Sequence, residues 1–246
     1  MNDSGETYRR RREQQWWAYA IAVYAVSFFV PLVVSILVLS MSPVGDPARA
    51  AAEVAIATAP IIGIVLGSGA LVAIRAIGHR PSLLGWSWRG LRAEWRSILL
   101  GLAIAIAILV VDIAFEVLLG VFGVTIEPMA HFNAARQQAF LAAVLVISAV
   151  IIAPVGEELF YRGFVLTMFD RALARTRMTE TAARWVAILA VAAFFSLTHL
   201  VIDAAFQLFV FAVMLGWARM RTGSLVAPVS AHAINNAISV SVLLAT

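Results

Sequence analysis

Seven long apolar segments dominate the sequence and restrict what the chain can fold into. A membrane-spanning helix needs about 20 mainly apolar residues, and in lipid a helix satisfies all of its own backbone hydrogen bonds. The chain is 62% hydrophobic and 13% charged, so it lies far from the composition of soluble domains. We therefore expect an all-α protein, a polytopic bundle of about seven to eight transmembrane helices. The predicted spans are Trp16–Met41, Val54–Ile74, Ile98–Phe122, Ala139 to about Phe169, Trp185–Ile202, Ala204–Ala218 and Leu225–Leu244.

The arginines predict the orientation of this bundle. All 18 basic residues are arginines, and a cytoplasmic N-terminus would place 15 of them on the inner side. Arg49 and Arg136 would lie outside, and Arg162 would lie within the membrane. The positive-inside rule therefore predicts a multi-pass protein of the inner or plasma membrane with a cytoplasmic N-terminus. It also accounts for the pI near 10.3 without a nucleic-acid partner. The first apolar run lacks a small-residue cleavage site, which predicts an uncleaved span.

The predicted organisation is a single bundle in three sections. Residues 1–15 form a basic cytoplasmic tail, residues 16–138 form N-terminal transmembrane helices, and residues 139–246 form the rest of the same bundle. The long fourth span is expected to break near Pro154 and Gly156. Cysteine is absent from the chain, which excludes disulfides, thiolate metal ligands and a thiol nucleophile.

Three ionisable residues lie within the fourth apolar segment, in the hexapeptide EELFYR. Charges at membrane depth cost a few kcal/mol each and normally face a protein interior or a wet cavity. Glu158 and Arg162 are spaced i,i+4 and can form an ion pair, which favours a structural role for both. Glu157 lies about 100° round the helix and has no partner of this kind. Its carboxylate can therefore face a cavity and act as a general base.

Polar residues from other spans are expected at a similar depth. At 1.5 Å per residue, Glu157 and His199 lie roughly 21 and 22 Å from the arginines that mark the inner face, and His232 and Asn236 lie roughly 16 and 22 Å from them. His232 and Asn236 are spaced i,i+4 and could both donate to an oxyanion, while Phe195 could wall the pocket of His199. Taken alone, His199 could be an interhelical strut and either asparagine of this helix could be packing glue. Only the occurrence of Glu157, His199, His232 and Asn236 together favours a shared site.

The three motifs occur in an order that resembles a known family. EELFYR fits E-E-x-x-x-R, FSLTH fits F-x-x-x-H and HAINN fits H-x-x-x-N. Together they resemble the CPBP family of intramembrane proteases, the CAAX-processing and bacteriocin-processing enzymes also called the Abi family. The resemblance covers about Ala139 to Thr246, and it implies that residues 139–246 are the catalytic core of the bundle.

By this resemblance, the protein would hydrolyse a peptide bond of a membrane-associated peptide or protein. The site would contain a water-activating pair, an oxyanion hole and a structural brace. These are, respectively, Glu157 with His199, His232 with Asn236, and Glu158 with Arg162. The cavity would be filled with water and open to the cytoplasm. Prenylated CAAX proteins are the substrates of eukaryotic members, but the composition here gives no reason to expect a prenylated substrate.

The same residues leave the question of a metal open. Glu157, His199 and His232 are admissible zinc ligands and could form a His₂Glu site with an open fourth position. However, the chain contains no H-E-x-x-H element, and Asn236 is a better amide donor than zinc ligand. We therefore expect a metal-free, glutamate-activated water, with Zn²⁺ as the alternative.

Two other functions compete with a protease. One is a non-catalytic membrane factor, for immunity or scaffolding, that binds a peptide or a partner protein. The other is a small proton-coupled transporter, for which Asp112 and Glu116 would join Glu157. Transporters of that kind contain paired broken helices, whereas only one interrupted span is expected here, so we rank this reading last.

Overall fold

The computed structural model describes residues 11, 13–41, 47–86, 91–123, 139–199, 201 and 204–245. Within these ranges the chain forms seven helices and no strand, which confirms the all-α prediction. We number them in chain order as α1 (Trp16–Met41), α2 (Pro47–Ala76), α3 (Leu91–Val121), α4 (the consecutive segments from Ala139 to Leu173), α5 (Glu180–Thr198), α6 (Ala205–Thr222) and α7 (Val226–Ala245). A short 3₁₀ turn, Pro81–Leu84, precedes α3.

Six of the helices, all but α6, are long and apolar enough to cross a membrane, among the residues described. The chain is therefore a multi-pass membrane protein. The remaining helix, α6, has 18 residues and carries Arg219 and Arg221 in its last turn. It corresponds to the predicted span Ala204–Ala218. Helix α5 begins five residues before the predicted span, because the Thr179 hydroxyl caps its first turn by accepting a hydrogen bond from the Ala182 N–H.

Some predictions lie wholly or partly outside the described residues. These are most of the basic tail, the positions of Arg136 and Ile202, and the side chain of Arg49. The division into an N-terminal section and a catalytic core stays a prediction.

Helix α4 is continuous, so the expected break near Pro154 and Gly156 was wrong. Its α-helical segments Ala139–Ile147, Ala153–Glu157 and Leu166–Leu173 alternate with π-helical segments Ser148–Ile152 and Glu158–Val165. Proline has no N–H, and in a regular helix its ring collides with the carbonyl four residues earlier. The wider π turn that precedes Pro154 accommodates the ring without breaking the helix. π-helical turns are rare and occur frequently at functional sites.

Glycine contacts bring α2 and α4 unusually close together. Gly63 and Gly67 on α2 form a G-x-x-x-G pair that lies against Ile152 and Gly156 on α4. A Cβ atom at Gly156 would overlap the carbonyl oxygen of Gly63, and one at Gly63 would lie 2.8 Å from the Ile152 oxygen. Small residues of this kind let helix backbones approach in membranes. The contact positions the turn of α4 that carries Glu157.

The second π segment of α4 lies at the centre of the bundle. All eight residues of Glu158–Val165 are buried, and α2, α5 and α6 all contact this segment. Helix α7 packs along the earlier turns of α4 and along α3. Glu158 and Arg162 of EELFYR therefore face protein.

Candidate active site

A buried carboxylate connects α4 to α7. Oε1 of Glu158 accepts hydrogen bonds from Nη1 of Arg162 at 2.8 Å and from Nδ1 of His232 at 2.9 Å. The Glu158 side chain is 0% exposed and that of Arg162 is 1% exposed. Arg162 also lies over the ring of Phe195, with its Cζ 4.4 Å from the ring centroid, and donates to the Ala212 carbonyl. The structure thus contains the i,i+4 ion pair, and adds a histidine that lies 74 residues further along the chain.

This bond determines how His232 presents its ring. An ionised carboxylate only accepts hydrogen bonds, so Nδ1–H of His232 is the donor to Glu158. The other nitrogen, Nε2, faces Glu157 and lies 3.9 Å from its Oε2, beyond hydrogen-bond distance. The edge-on ring of Phe211 flanks the imidazole, with the ring centroids 5.0 Å apart. Nε2 can donate a hydrogen bond only when both ring nitrogens carry a proton.

Glu157 borders a cavity of about 250 Å³. Its side chain is 14% exposed, and its Oε2 atom has no hydrogen-bond partner among the described residues. Since one water takes about 30 Å³ in the liquid, the cavity has room for several waters or part of a substrate. Four helices line it, with Tyr24, Ser27 and Phe28 from α1, Ile62 and Leu66 from α2, Glu157 and Tyr161 from α4, and Thr198 and His199 from the C-terminal end of α5.

His199 lines the same cavity and is held by a backbone carbonyl. Its Nδ1 lies 2.7 Å from the carbonyl oxygen of Phe195, so Nδ1–H donates and Nε2 of the neutral ring is an acceptor. The same carbonyl accepts from the Thr198 hydroxyl, which in turn accepts from the Tyr161 hydroxyl at 2.9 Å. The Phe195 ring lies 4.3 Å from the His199 ring and 6.3 Å from the His232 ring, between centroids. The i,i+4 spacing of F-x-x-x-H therefore orients the histidine through main-chain as well as side-chain contacts.

Asn236 contacts α4 one turn along α7 from His232. Its Nδ2 donates to the carbonyl oxygen of Ala149 at 2.7 Å, within the first π segment. One amide hydrogen thus holds α7 against α4. The oxyanion role of Asn236 stays a prediction.

Three other polar residues of the predicted spans, Asp112, Glu116 and Gln207, do not line the cavity. Asp112 is partly buried and Glu116 is exposed on α3, and neither of them lines the cavity. Gln207 on α6 has a buried Oε1 without a hydrogen-bond partner among the described residues. The structure therefore does not bring the proposed transporter residues Asp112 and Glu116 to Glu157.

Sequence reasoning missed the contribution of the first two helices. It assigned no residue before 139 to the protease site, yet α1 and α2 provide five of the nine described residues that line the cavity. Tyr24 and Ser27 offered a signal, because they are polar residues spaced i,i+3 in a strongly apolar span and so share a helix face. Nothing in their spacing identifies α4 and α5 as their neighbours.

The proposed zinc ligands are only partly assembled. Within the described ranges, no three His, Asp or Glu side chains are grouped so that they could hold a metal ion. His232 could offer only Nε2, because Nδ1 is bonded to Glu158, and His199 likewise has only Nε2 free. The expectation of a metal-free site stays a prediction.

Comparison with known proteins identifies the part of the chain that holds these residues. Residues 139–238 match a family described as type II CAAX prenyl endopeptidase Rce1-like. The chain matched no curated protein and no solved structure. The matched segment contains EELFYR, FSLTH and HAINN, and the match supports a CAAX-protease-type intramembrane endopeptidase in general. The segment from residue 139 to residue 238 therefore belongs to the CPBP and CAAX protease family that its three motifs indicate.

Proposed function

We propose that this protein is an intramembrane endopeptidase in which Glu157 activates a water molecule. The observation that carries the proposal is the position of Glu157. The residue borders the cavity that His199 also lines, and its buried Oε2, which has no hydrogen-bond partner among the described residues, lies 3.9 Å from Nε2 of His232. A carboxylate in this setting can accept a proton, with an acceptor nitrogen and a potential oxyanion donor beside it.

The proposed reaction assigns one task to each side chain. Glu157 takes a proton from water while the water oxygen attacks the scissile carbonyl carbon, and Nε2 of His199 accepts a second hydrogen bond from the same water. His232, protonated on both nitrogens, donates from Nε2 to the oxyanion, and Asn236 assists with its amide. Glu157 then returns the proton to the leaving nitrogen as the scissile C–N bond breaks and the oxyanion becomes a carbonyl again. The products are a new carboxyl terminus and a new amine, so atoms and protons balance.

Glu158 and Arg162 act as a brace in this proposal. Glu158 fixes which nitrogen of His232 faces Glu157, and Arg162 balances the buried carboxylate. The substrate is a membrane-associated peptide or protein, because the cavity lies among helices that cross the membrane. We also propose that the N-terminus is cytoplasmic and that the membrane is the inner or plasma membrane, on the distribution of arginines.

A matched pair of variants tests the proposal. Glu157→Gln removes the base with little change in shape, whereas Glu116→Gln makes the same change at an exposed carboxylate of α3. Losing a general base typically slows a reaction about 10²–10⁴-fold. We expect membrane proteins to accumulate in uncleaved form, by quantitative proteomics of peptide termini, in cells that carry only Glu157→Gln and not in cells that carry only Glu116→Gln.

The same variants separate the protease from the non-catalytic membrane factor. If the cellular phenotype persists in Glu157→Gln and in His232→Ala, while both proteins are inserted and folded, the protein acts by binding. If cleavage and phenotype disappear together, it acts as a protease.

Chelation tests the metal-free mechanism. We expect the purified enzyme to retain full activity after stringent chelation. Activity that is lost to the chelator and restored by Zn²⁺ would overturn the glutamate mechanism and favour the alternative ligand set.

A further inference from the structure

A second cavity, of about 270 Å³, opens at the end of the bundle where α1 begins and α4 finishes. We call it the basic crevice. One wall comes from the segment that precedes and begins α1, and the other comes from the last turns of α4. The lining residues are Glu13, Gln14, Trp16, Met168, Arg171, Ala172 and Arg175.

Among the described residues, three charged side chains line the basic crevice, and two of them are positive. Arg171 donates from Nε to Oε1 of Glu13 at 2.9 Å, and Arg175 donates from Nη2 to Oε2 at 2.7 Å. His79 is a further neighbour, with Nε2 3.4 Å from Oε1 of Glu13. Arg171 is also within electrostatic reach of Asp170, which does not line the crevice. The lining therefore carries two guanidinium groups against one carboxylate.

Both arginines keep donors for a further anion. The side chain of Arg171 is 40% exposed and that of Arg175 is 47% exposed, whereas Glu13 is 6% exposed. A guanidinium has five N–H groups, and among the described residues each arginine uses one of them, for Glu13. The buried carboxylate thus holds two guanidinium groups side by side with most of their donors free.

The walls beside these donors are apolar and lie at the membrane boundary. Trp16 begins the first apolar span and packs on Phe169, with ring centroids 6.0 Å apart. Tryptophan prefers the level of lipid headgroups. Met168 and Ala172 extend the apolar surface along α4. An amphiphilic anion fits this combination better than a free ion, because its apolar part can cover Trp16 and Met168.

We propose that the basic crevice binds the phosphate of an anionic phospholipid headgroup. Basic pockets between helices at a membrane surface bind such headgroups. Glu13 leaves most of the arginine donors free for the phosphate, but its negative charge repels the phosphate, so the carboxylate weakens binding. This site is separate from the Glu157 cavity, and the proposal does not depend on the protease activity.

Binding of fluorescent phosphatidylglycerol to the full chain in neutral detergent tests the proposal. Each arginine near a membrane surface contributes about five-fold in affinity, so Arg171→Gln/Arg175→Gln should bind roughly 25-fold more weakly. Arg184→Gln is the matched control, since this arginine is half exposed and pairs with Glu180 on α5. We expect the control to bind as the parent does. Equal losses in the control and in the double variant would overturn the proposal.

A substitution at Glu13 should change the lipid affinity in the opposite direction. Glu13→Gln removes the carboxylate charge that repels the phosphate and should tighten binding by about five-fold. If the crevice is only a structural clamp, the same variant will weaken binding or leave it unchanged, which would overturn the proposal. Because the arginine double variant leaves the buried Glu13 without its two arginine partners, a triple variant, Glu13→Gln/Arg171→Gln/Arg175→Gln, repeats the test with that carboxylate removed. It should also lose binding.

Two competitors distinguish the source of the phosphate. Unlabelled phosphatidylglycerol should displace the probe, whereas phosphatidylcholine and inorganic phosphate should not. Displacement by inorganic phosphate at the same concentrations would identify a soluble-anion site and overturn the lipid proposal.

Discussion

Glu158 illustrates how a single buried carboxylate can serve both stability and chemistry. It accepts from Arg162 and from His232, and it has no contact with solvent. Removing one partner of a buried ion pair costs about 3–5 kcal/mol, because the other charge is left uncompensated. Replacing the whole pair by apolar residues is often neutral. The two contributions of Glu158 can therefore be separated.

We predict that Glu158→Gln is strongly destabilised and inactive, because Arg162 keeps its charge without a carboxylate. The double variant Glu158→Leu/Arg162→Met should recover most of the thermal stability in detergent and stay inactive, since His232 has lost the acceptor for Nδ1. Unfolding temperature and peptide cleavage would be measured together. Recovery of cleavage along with stability would show that Glu158 does not position His232.

For Asn236, too, the contribution to stability can be separated from the contribution to catalysis. As an interhelical strut to Ala149, it contributes about 1 kcal/mol to stability, the usual value of one hydrogen bond. As an oxyanion donor, it would contribute about 10²–10³-fold to kcat. We predict that Asn236→Ala lowers both the stability and kcat by these amounts, and that Asn235→Ala, at the neighbouring position, changes neither. A stability loss with unchanged kcat would assign Asn236 to packing alone.

At the scale of elements, hydropathy predicted the helices well because lipid requires every span to be apolar and internally hydrogen-bonded. The i,i+4 pairs were also predictable, because helical geometry alone brings Glu158 to Arg162. The contact between Glu158 and His232 was not, since helix periodicity specifies a face and not the neighbouring helix. The π turns of α4 were missed for a related reason. Pro154 indicated that the regular helix is disturbed there. A proline can be accommodated by a wider turn or can break the helix, and the sequence does not distinguish between the two.

The glycine contact between α2 and α4 leads to a prediction for these two elements. Gly156→Ala places a methyl group against the Gly63 carbonyl, so the helices must separate beside Glu157. We expect a loss of about 1–3 kcal/mol, as for overpacked cores, together with a large loss of activity. Gly120→Ala on α3 is the matched control, because a Cβ there meets nothing within 4 Å, and it should leave both unchanged. An active, stable Gly156→Ala protein would show that the close approach is unnecessary.

At the scale of the whole molecule, the ends of α1 and α4 are joined by contacts that cross more than 150 residues of chain. Helix α1 buries little of its own surface but contributes three residues to the Glu157 cavity. Glu13, just before α1, and Trp16, in its first turn, attach this end of the helix to α4, and Val23 packs closely on Gly69 of α2. The position of this wall of the cavity thus depends in part on an ion pair at the membrane boundary.

That ion pair predicts a specific dependence of stability on acid. Burial alone would raise the pKa of Glu13, but the hydrogen bonds from Arg175 and Arg171 outweigh burial and hold the pKa below its ordinary value of 4.5. A carboxyl group whose pKa is lower in the folded state stabilises the fold above its unfolded pKa, and this stability is lost as the pH falls through the folded pKa. The contribution of Glu13 should therefore be complete above pH 4.5 and be lost as the pH falls below it.

In detergent without anionic lipid, Glu13→Gln should unfold at a lower temperature than the parent at neutral pH, and the difference should vanish as the pH falls well below 4.5. Glu180→Gln, at an exposed pair with Arg184, should show little difference at any pH. A gap between parent and Glu13→Gln that stays constant down to the lowest pH would show that the carboxylate charge does not hold α1 to α4.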